Sequence, residues 1–178
     1  MIFSPFPELV TERLLLRQLQ SSDREVVFYL RSDPTVNQFV QRPTPKSLAD
    51  ADAFIERISN EVSKDRSIYW CISLKGTTEM IGSICLWNFS EDKKTAEVGY
   101  DLHPKYQKHG YMSEALKSIL EYGFNILKLD CIEACTDYRN ESSKQLLVKH
   151  HFSLNSNKHD NENANNLIFE ISSERYFI

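Results

Sequence analysis

Between residues 68 and 127 the hydrophobic pattern changes period, and that change restricts the fold more than any other feature of the chain. SIYWCISL, EMIGSICLWNF and TAEVGYDL are short runs rich in β-branched and aromatic residues, separated by the polar turns Lys75-Gly76-Thr77-Thr78 and Ser90-Glu91-Asp92-Lys93-Lys94. Such runs predict three antiparallel strands joined by hairpins. Beyond Pro104 and Gly110, the residues Met112, Ala115, Leu116, Ile119, Leu120 and Phe124 recur at three- and four-residue steps. That stripe predicts a long helix over 112–127.

The flanks extend the pattern. Residues 11–19 read as a strand, and Ser21-Ser22-Asp23 offers an N-cap to a helix that Asp33-Pro34 stops. After an irregular stretch to Pro45, residues 47–63 carry Leu48, Ala51, Phe54, Ile55, Ile58 and Val62 at helical spacing. A strand over 130–137, a helix from Asn140, an Asn-rich loop over 155–166 and a last strand over 167–171 follow. Without a repeat or a linker, the chain reads as one domain over 1–178, of α+β (mixed α/β) class around one twisted sheet.

Composition removes several function classes. Hydrophobic residues at 41% and charged residues at 26% suit a folded chain rather than a disordered one. The net charge of -4, with both signs interleaved, argues against a nucleic-acid partner. No apolar run reaches the roughly 20 residues that cross a bilayer. The start, with Pro5, Pro7 and Glu8, lacks the basic end and apolar stretch of a secretion signal. A cytoplasmic protein with no membrane partner is expected. Cys71, Cys85, Cys131 and Cys135 lie in apolar stretches without C-x-x-C spacing, so they read as buried free thiols, and no metal is expected.

The densest information lies in EVGYDLHPKYQKHGYMSEA, residues 97–115, where a strand ends at a proline and the chain turns into the long helix. Backbone N–H groups at a helix N-terminus lack carbonyl partners and sit at the positive end of the dipole, and a glycine lets an anion approach them. Gly110 is so placed, with Lys108 and His109 at the mouth. A plain structural turn and a phosphate loop both fit a single glycine. Neither G-x-x-x-x-G-K-[ST] nor a strand-borne G-x-G-x-x-G is present, which leaves a pyrophosphate ligand of another kind, such as coenzyme A.

The stretch Q-K-H-G-Y-M-S-E-A resembles the Q/R-x-x-G-x-G/A pyrophosphate loop of the GNAT superfamily of acyl-CoA N-acyltransferases. Thr11-Glu12-Arg13-Leu14-Leu15-Leu16-Arg17 resembles the opening strand of its ribosomal-protein alanine N-acetyltransferase branch. Ile81-Gly82-Ser83-Ile84 and Ala96-Glu97-Val98-Gly99-Tyr100 are similar to that branch's middle strands. Asn140-x-x-Ser143-x-x-Leu146, ending near Phe152, is similar to its N-x-x-S-x-x-L…G-F helix. The resemblance spans residues 11–152. Met112 stands where many members have Gly or Ala, His151 where the usual Gly precedes Phe, and Leu147 where many members carry a tyrosine acid.

The resemblance implies one acyl-CoA N-acyltransferase domain, with about four helices around a mostly antiparallel sheet of about seven strands that contains a splayed pair. It implies acetyl-CoA as cosubstrate and an amine as acceptor, in a monomer or homodimer. Gln107, Lys108, His109, Gly110, Tyr111 and Met112 would hold the pyrophosphate, Leu102 and His103 would end the splayed strand beside the pantetheine arm, and Asn140 and Ser143 would complete the cofactor site. Glu97 would take a proton from the ammonium if burial raises its pKa, and Ser143 would protonate the departing thiol. A solvent-facing Glu97 and an exposed helical Ser143 are the plain structural alternatives. Trp87, Phe89 and Tyr100 read as core or sheet-face residues, one or two of which could line the acceptor pocket. A module that keeps the coenzyme A cradle without turnover is the alternative function. The helices over 22–31 and 47–63 mix Asp23, Glu25, Asp50, Asp52 and Glu56 with Arg24 and Arg57, which favours a peptide N-terminus or a small monoamine over a polyamine.

Overall fold

A computed structural model of the chain describes residues 3–177. Its elements run β1 (Leu9–Val10), β2 (Leu14–Gln18), α1 (Arg24–Ser32), α2 (Leu48–Ser63), β3 (Ile68–Leu74), β4 (Met80–Trp87), β5 (Thr95–Leu102), α3 (Tyr111–Glu121), β6 (Cys131–Asp137), α4 (Glu141–Lys149), β7 (Ser153–Leu154), β8 (Asn166–Ser172) and the single turn α5 (Ser173–Tyr176). The strands form one sheet in the order β1-β2-β3-β4-β5-β6-β8-β7. Every neighbouring pair is antiparallel except β5 and β6, which are parallel. This is the mixed α/β architecture expected, with the two-residue strands β1 and β7 as additions too short for period-two patterning to reveal.

The two faces have separate cores. Val27 and Leu30 of α1 and Ala51, Phe54 and Ile55 of α2 pack on Cys71 and Met80. On the other face Ala115, Leu116, Ile119 and Leu120 of α3 and Leu147 of α4 pack on Trp70, Ile72, Ile84, Leu86 and Val98. Strand alternation decides the assignment: Tyr69, Cys85 and Gly99 sit side by side across β3, β4 and β5 and face α1 and α2, and Trp70, Ile84 and Tyr100 face α3 and α4. Gly82 lets β4 and β5 approach closely, because a Cβ there would lie 2.6 Å from the Asp101 carbonyl oxygen.

Helix boundaries follow local hydrogen bonding. Ser47, at the start of the stretch expected to be helical, is the N-cap of α2, accepting from the Asp50 N–H while Asp50 accepts from the Ser47 N–H. Asp23 takes the N-cap position of α1, within the expected Ser21-Ser22-Asp23, but makes no side-chain cap bond, and a short 3-10 turn capped by Gln20 precedes it. Asp23 is drawn inward instead: its buried carboxylate accepts from both Arg17 Nη atoms at 2.7 and 2.8 Å and from the Gln20 N–H. The helix expected over 112–127 is regular to Glu121 and closes in a π turn over Tyr122–Ile126.

The end of α4 explains His151. Phe152 N–H donates to the Leu147 carbonyl and His151 N–H to the Val148 carbonyl, the paired bonds of a Schellman ending. The residue between helix and Phe152 must then be left-handed, and His151 has φ 66°. Phe152 is buried beyond it. A glycine would adopt that backbone without steric cost. His151→Gly is therefore expected to stabilise the protein by about 1 kcal/mol in urea unfolding; a destabilised variant would show that the imidazole holds the turn.

Candidate functional site

Pairing between β5 and β6 covers only Thr95, Ala96 and Glu97, opposite Cys131, Ile132 and Glu133. β5 nevertheless continues against β4 to Leu102, and β6 continues against β8 to Asp137. The strands therefore part after Glu97. His103 N–H donates to the Ile81 carbonyl, so the odd-numbered residues of β5 direct their backbone groups to β4. By alternation, the Val98 N–H closes the last bridge to Glu133, and the C=O of Val98, both backbone groups of Tyr100 and the N–H of Leu102 face the gap. The Leu102 carbonyl accepts from Gln107 Nε2 at 3.1 Å. His103 is turned elsewhere: its Nδ1 accepts from the Lys105 N–H and its ring stacks on Tyr29 at 4.4 Å, because the chain leaves the sheet at Pro104.

The open end of the gap meets the N-terminus of α3. Gly110 is its N-cap with φ 81°, and Lys108 is also left-handed with φ 64°. The two reversals aim a run of amides outward. Among the described residues, the N–H groups of Lys108 through Ser113 have no acceptor within the protein. That run of orphan donors at the positive end of a helix dipole is the cradle an anion requires. Gln107, Lys108 and His109 are exposed at its rim, Tyr111 and Met112 are half-buried, and Met112 packs against the core.

Arg13 and Thr11 hold this loop from the opposite end of the chain. Arg13 Nε donates to Glu114 at 2.7 Å, the Arg13 N–H to the same carboxylate at 2.8 Å, and Thr11 Oγ1 to it at 2.6 Å. Arg13 Nη1 also donates to the His109 carbonyl at 3.0 Å, and its guanidinium lies over the Tyr111 ring. These donors hold the Glu114 carboxyl below its ordinary pKa, against a burial effect that pushes it up. The T-E-R-L stretch is thus a clamp on the first turn of α3. Sequence reading placed Thr11 and Arg13 only in a strand, since nothing local signals a contact to a helix a hundred residues away.

Glu97 is the last residue of β5 to be paired with β6, and its side chain shares the α1/α2 face with Gly99 and Asp101. Burial raises its pKa to about 7, while Asn88 Nδ2 at 3.5 Å and the Cys135 thiol pull it down and Asp160 and Glu133 push it up. Lys158 pairs with both Glu133 and Glu170 beside it. Gly99, between Glu97 and Asp101, is crowded by its neighbours: a Cβ there would lie 3.2 Å from Cys85 Sγ and 3.7 Å from Nε1 of the exposed Trp87. Phe89 is packed against the core.

On the other face Ser143, buried in the first turn of α4, lies 2.9 Å from the Tyr100 hydroxyl. Asn140 caps this helix, its Oδ1 accepting from the Ser143 N–H at 3.1 Å and from Ser142 Oγ. Burial pushes the Tyr100 phenol up to about 12, so it is a protonated donor near neutral pH. Leu147, one turn further, is fully buried in the core. Sequence reading missed the Tyr100–Ser143 pair because it joins two distant elements. The four cysteines are free thiols, and burial raises the pKa of Cys85 and Cys135 to about 12.

Comparison with known proteins agrees with this arrangement. The family model of the acetyltransferase (GNAT) domain matches residues 13–153. The chain is 33% identical over 144 residues to the uncharacterized N-acetyltransferase YoaA of Bacillus subtilis strain 168, covering 81% of each chain. The crystal structure of a GNAT-family acetyltransferase from Bacillus anthracis superposes with a TM-score of 0.79 at 25% identity, covering 94% of this chain and 99% of that one. RimL, the ribosomal L7/L12 alpha-N-protein acetyltransferase solved in complex with coenzyme A, shares the fold with a TM-score of 0.78 at 17% identity, covering 92% and 96%.

The environment of Glu97 has a consequence for stability. A carboxyl whose folded pKa lies above its ordinary value of 4.5 favours the folded state most at low pH, and that contribution is lost as pH rises through about 7. Glu97→Gln lacks this ionisation. Urea unfolding at about pH 5 and about pH 8 should therefore show the stability of the Gln variant relative to wild type increasing with pH; an unchanged difference would place Glu97 in water.

Proposed function

The chain belongs to the GNAT acetyltransferase family, and from that premise we propose that it carries acetyl groups from acetyl-CoA to a primary amine across the gap between β5 and β6. It is an N-acetyltransferase by family; the assignment of residues to steps is a reading of the site. The observation that carries it is the placement of Glu97, with a pKa of about 7, on one face of the gap and the Ser143–Tyr100 pair on the other.

On this reading the orphan amides of residues 108–113 receive the pyrophosphate of acetyl-CoA, with Arg13 fixing the loop. The pantetheine arm lies along the unpaired edge of β5 in place of the missing strand, against the Val98 carbonyl and the backbone groups of Tyr100. The Nδ2 of Asn140 is free for its carbonyl groups while Oδ1 serves the helix cap.

Glu97 accepts a proton from the acceptor ammonium, directly or through water, which frees the nitrogen lone pair to attack the thioester carbon. A carboxyl with a pKa near 7 is ionised often enough at neutral pH to accept that proton and basic enough to keep it. The oxyanion that forms is stabilised by a backbone N–H of the β5 edge. As the carbon–sulfur bond breaks, the attacking nitrogen releases its remaining extra proton to water, Ser143 Oγ donates its proton to the thiolate, Tyr100 restores it through their 2.9 Å hydrogen bond, and water returns a proton to Tyr100. The acceptor enters from the α1/α2 face and the thiol is protonated from the α3/α4 face.

Three of the acidic residues of α1, α2 and their caps are engaged elsewhere. Asp23 pairs with Arg17, Asp50 caps α2 and Asp52 pairs with Arg24. This supports a peptide N-terminus or small monoamine as acceptor. Release of free coenzyme A in the steady state with a panel of amines tests the activity, and silence across peptide and small-amine acceptors would contradict it.

Two variants test the residue roles. Glu97→Gln should lower kcat by about a hundredfold or more and remove the rise of rate with pH through about 7; survival of both would leave Glu97 structural. Gly110→Glu places a charged side chain in the cradle and should abolish acetyl-CoA binding in calorimetry, whereas unchanged affinity would move the pyrophosphate elsewhere.

A further inference from the structure

Arginines in this fold are systematically paired. Arg13, Arg17, Arg24, Arg42, Arg66 and Arg139 each hold a carboxylate. Arg57 and Arg175 are exposed to solvent. Arg31, at the end of α1, is the exception: it is partly buried and makes no salt bridge or hydrogen bond among the described residues. Its guanidinium lies 4.0 Å over the Phe54 ring, with Arg57 5.1 Å from the same ring. Burial and the neighbouring charge of Arg42 both depress its pKa, with Tyr69 and Asp101 also within electrostatic reach. The one nearby carboxylate is occupied, since Asp101 accepts from Arg42 Nη1 at 3.0 Å and from Ser83 Oγ at 2.7 Å. A partly desolvated cation without a counter-charge costs stability, and a ligand anion removes that cost.

The position of this cation relates it to the gap. Asp101 and Glu97 lie on the same face of β5, four residues apart, which is about 13 Å along a strand. Between them Gly99 carries no side chain, with Cys85 Sγ and Trp87 Nε1 beside it. The end of α1 is tied to the Asp101 end of this face, because Arg42 joins Asp101 while donating to the Asn37 side chain and to the Leu30 carbonyl. An extended peptide advances by about 3.4 Å per residue, so its fourth position lies about 10 Å from its first, and an acidic side chain at the third or fourth position reaches toward this end when the amine is at Glu97.

We propose that Arg31 binds the carboxylate of the acceptor, and that the acceptor is a peptide end carrying an acidic side chain within its first four residues. This rests on the reading of Glu97 as the residue that serves the amine. On this reading the α1/α2 face carries the proton acceptor toward one end of β5 and, among the described residues, an unpaired guanidinium toward the other.

The test compares two tetrapeptide amides, Ala-Asp-Asp-Ala and Ala-Asn-Asn-Ala, on wild type, Arg31→Met and Arg31→Lys. Wild type should favour the acidic peptide in kcat/KM by about tenfold or more. Arg31→Met, which keeps an apolar stem on Phe54, should bring the ratio of the two close to one. Arg31→Lys, which keeps the charge, should retain a preference of about threefold. Binding of the acidic peptide to the protein saturated with coenzyme A, followed by calorimetry, should weaken in parallel in Arg31→Met. A wild-type ratio near one, or a ratio that Arg31→Met leaves unaltered, overturns the proposal while leaving the transferase reading in place. Failure to bind acetyl-CoA or to acetylate any amine overturns both.

Discussion

Three residue pairs hold β5 to β6, and the site depends on the ladder stopping there. Had it continued, the Val98 carbonyl and the backbone groups of Tyr100 would be satisfied within the sheet and nothing could enter between the strands. The parting is sustained from both sides: β4 holds β5 to its last residue and β8 holds β6 along its whole length. The gap is therefore framed by fully paired strands and can stay open without fraying. It also brings side chains of opposite faces to one place, Glu97 toward α1 and α2 and Tyr100 toward α3 and α4.

The cradle beside the gap is held by a long-range clamp rather than by its own residues. Two left-handed residues, Lys108 and Gly110, set the loop, and only the second is a glycine. The first needs support, and Arg13 supplies it by binding both the His109 carbonyl and the Glu114 carboxylate. A charged group in the first turn of a helix is already favoured by the dipole, and here it doubles as the anchor for β2. Loop shape, helix start and sheet edge are thus one hydrogen-bonded unit.

Much of this was legible in the residues. Asn140 and Gly110 sit where their chemistry predicts, the first as an N-cap and the second as the left-handed entry to α3. The hairpins of β3, β4 and β5 follow from their turns. Asp23 holds the expected N-cap position of α1, but its carboxylate turns to Arg17, which only the fold brings beside it. Tyr100 looked like any sheet-face aromatic until α4 placed Ser143 against it. Arg31 has no local signature at all, since its meaning lies in lacking the partner that the other partly buried arginines have. His103 kept its place in sequence but turned away from the gap once Pro104 ended the strand.

The account stands or falls on whether acetyl-CoA occupies the unpaired edge of β5 and the orphan amides before α3. Amide hydrogen exchange, followed with and without acetyl-CoA, addresses this directly, because the groups concerned lack partners in the free protein. Protection should appear at Tyr100 and Leu102 and in residues 108–113, while β3, already paired on both sides, should show no local change. Tight binding that leaves both segments exchanging as before would contradict it.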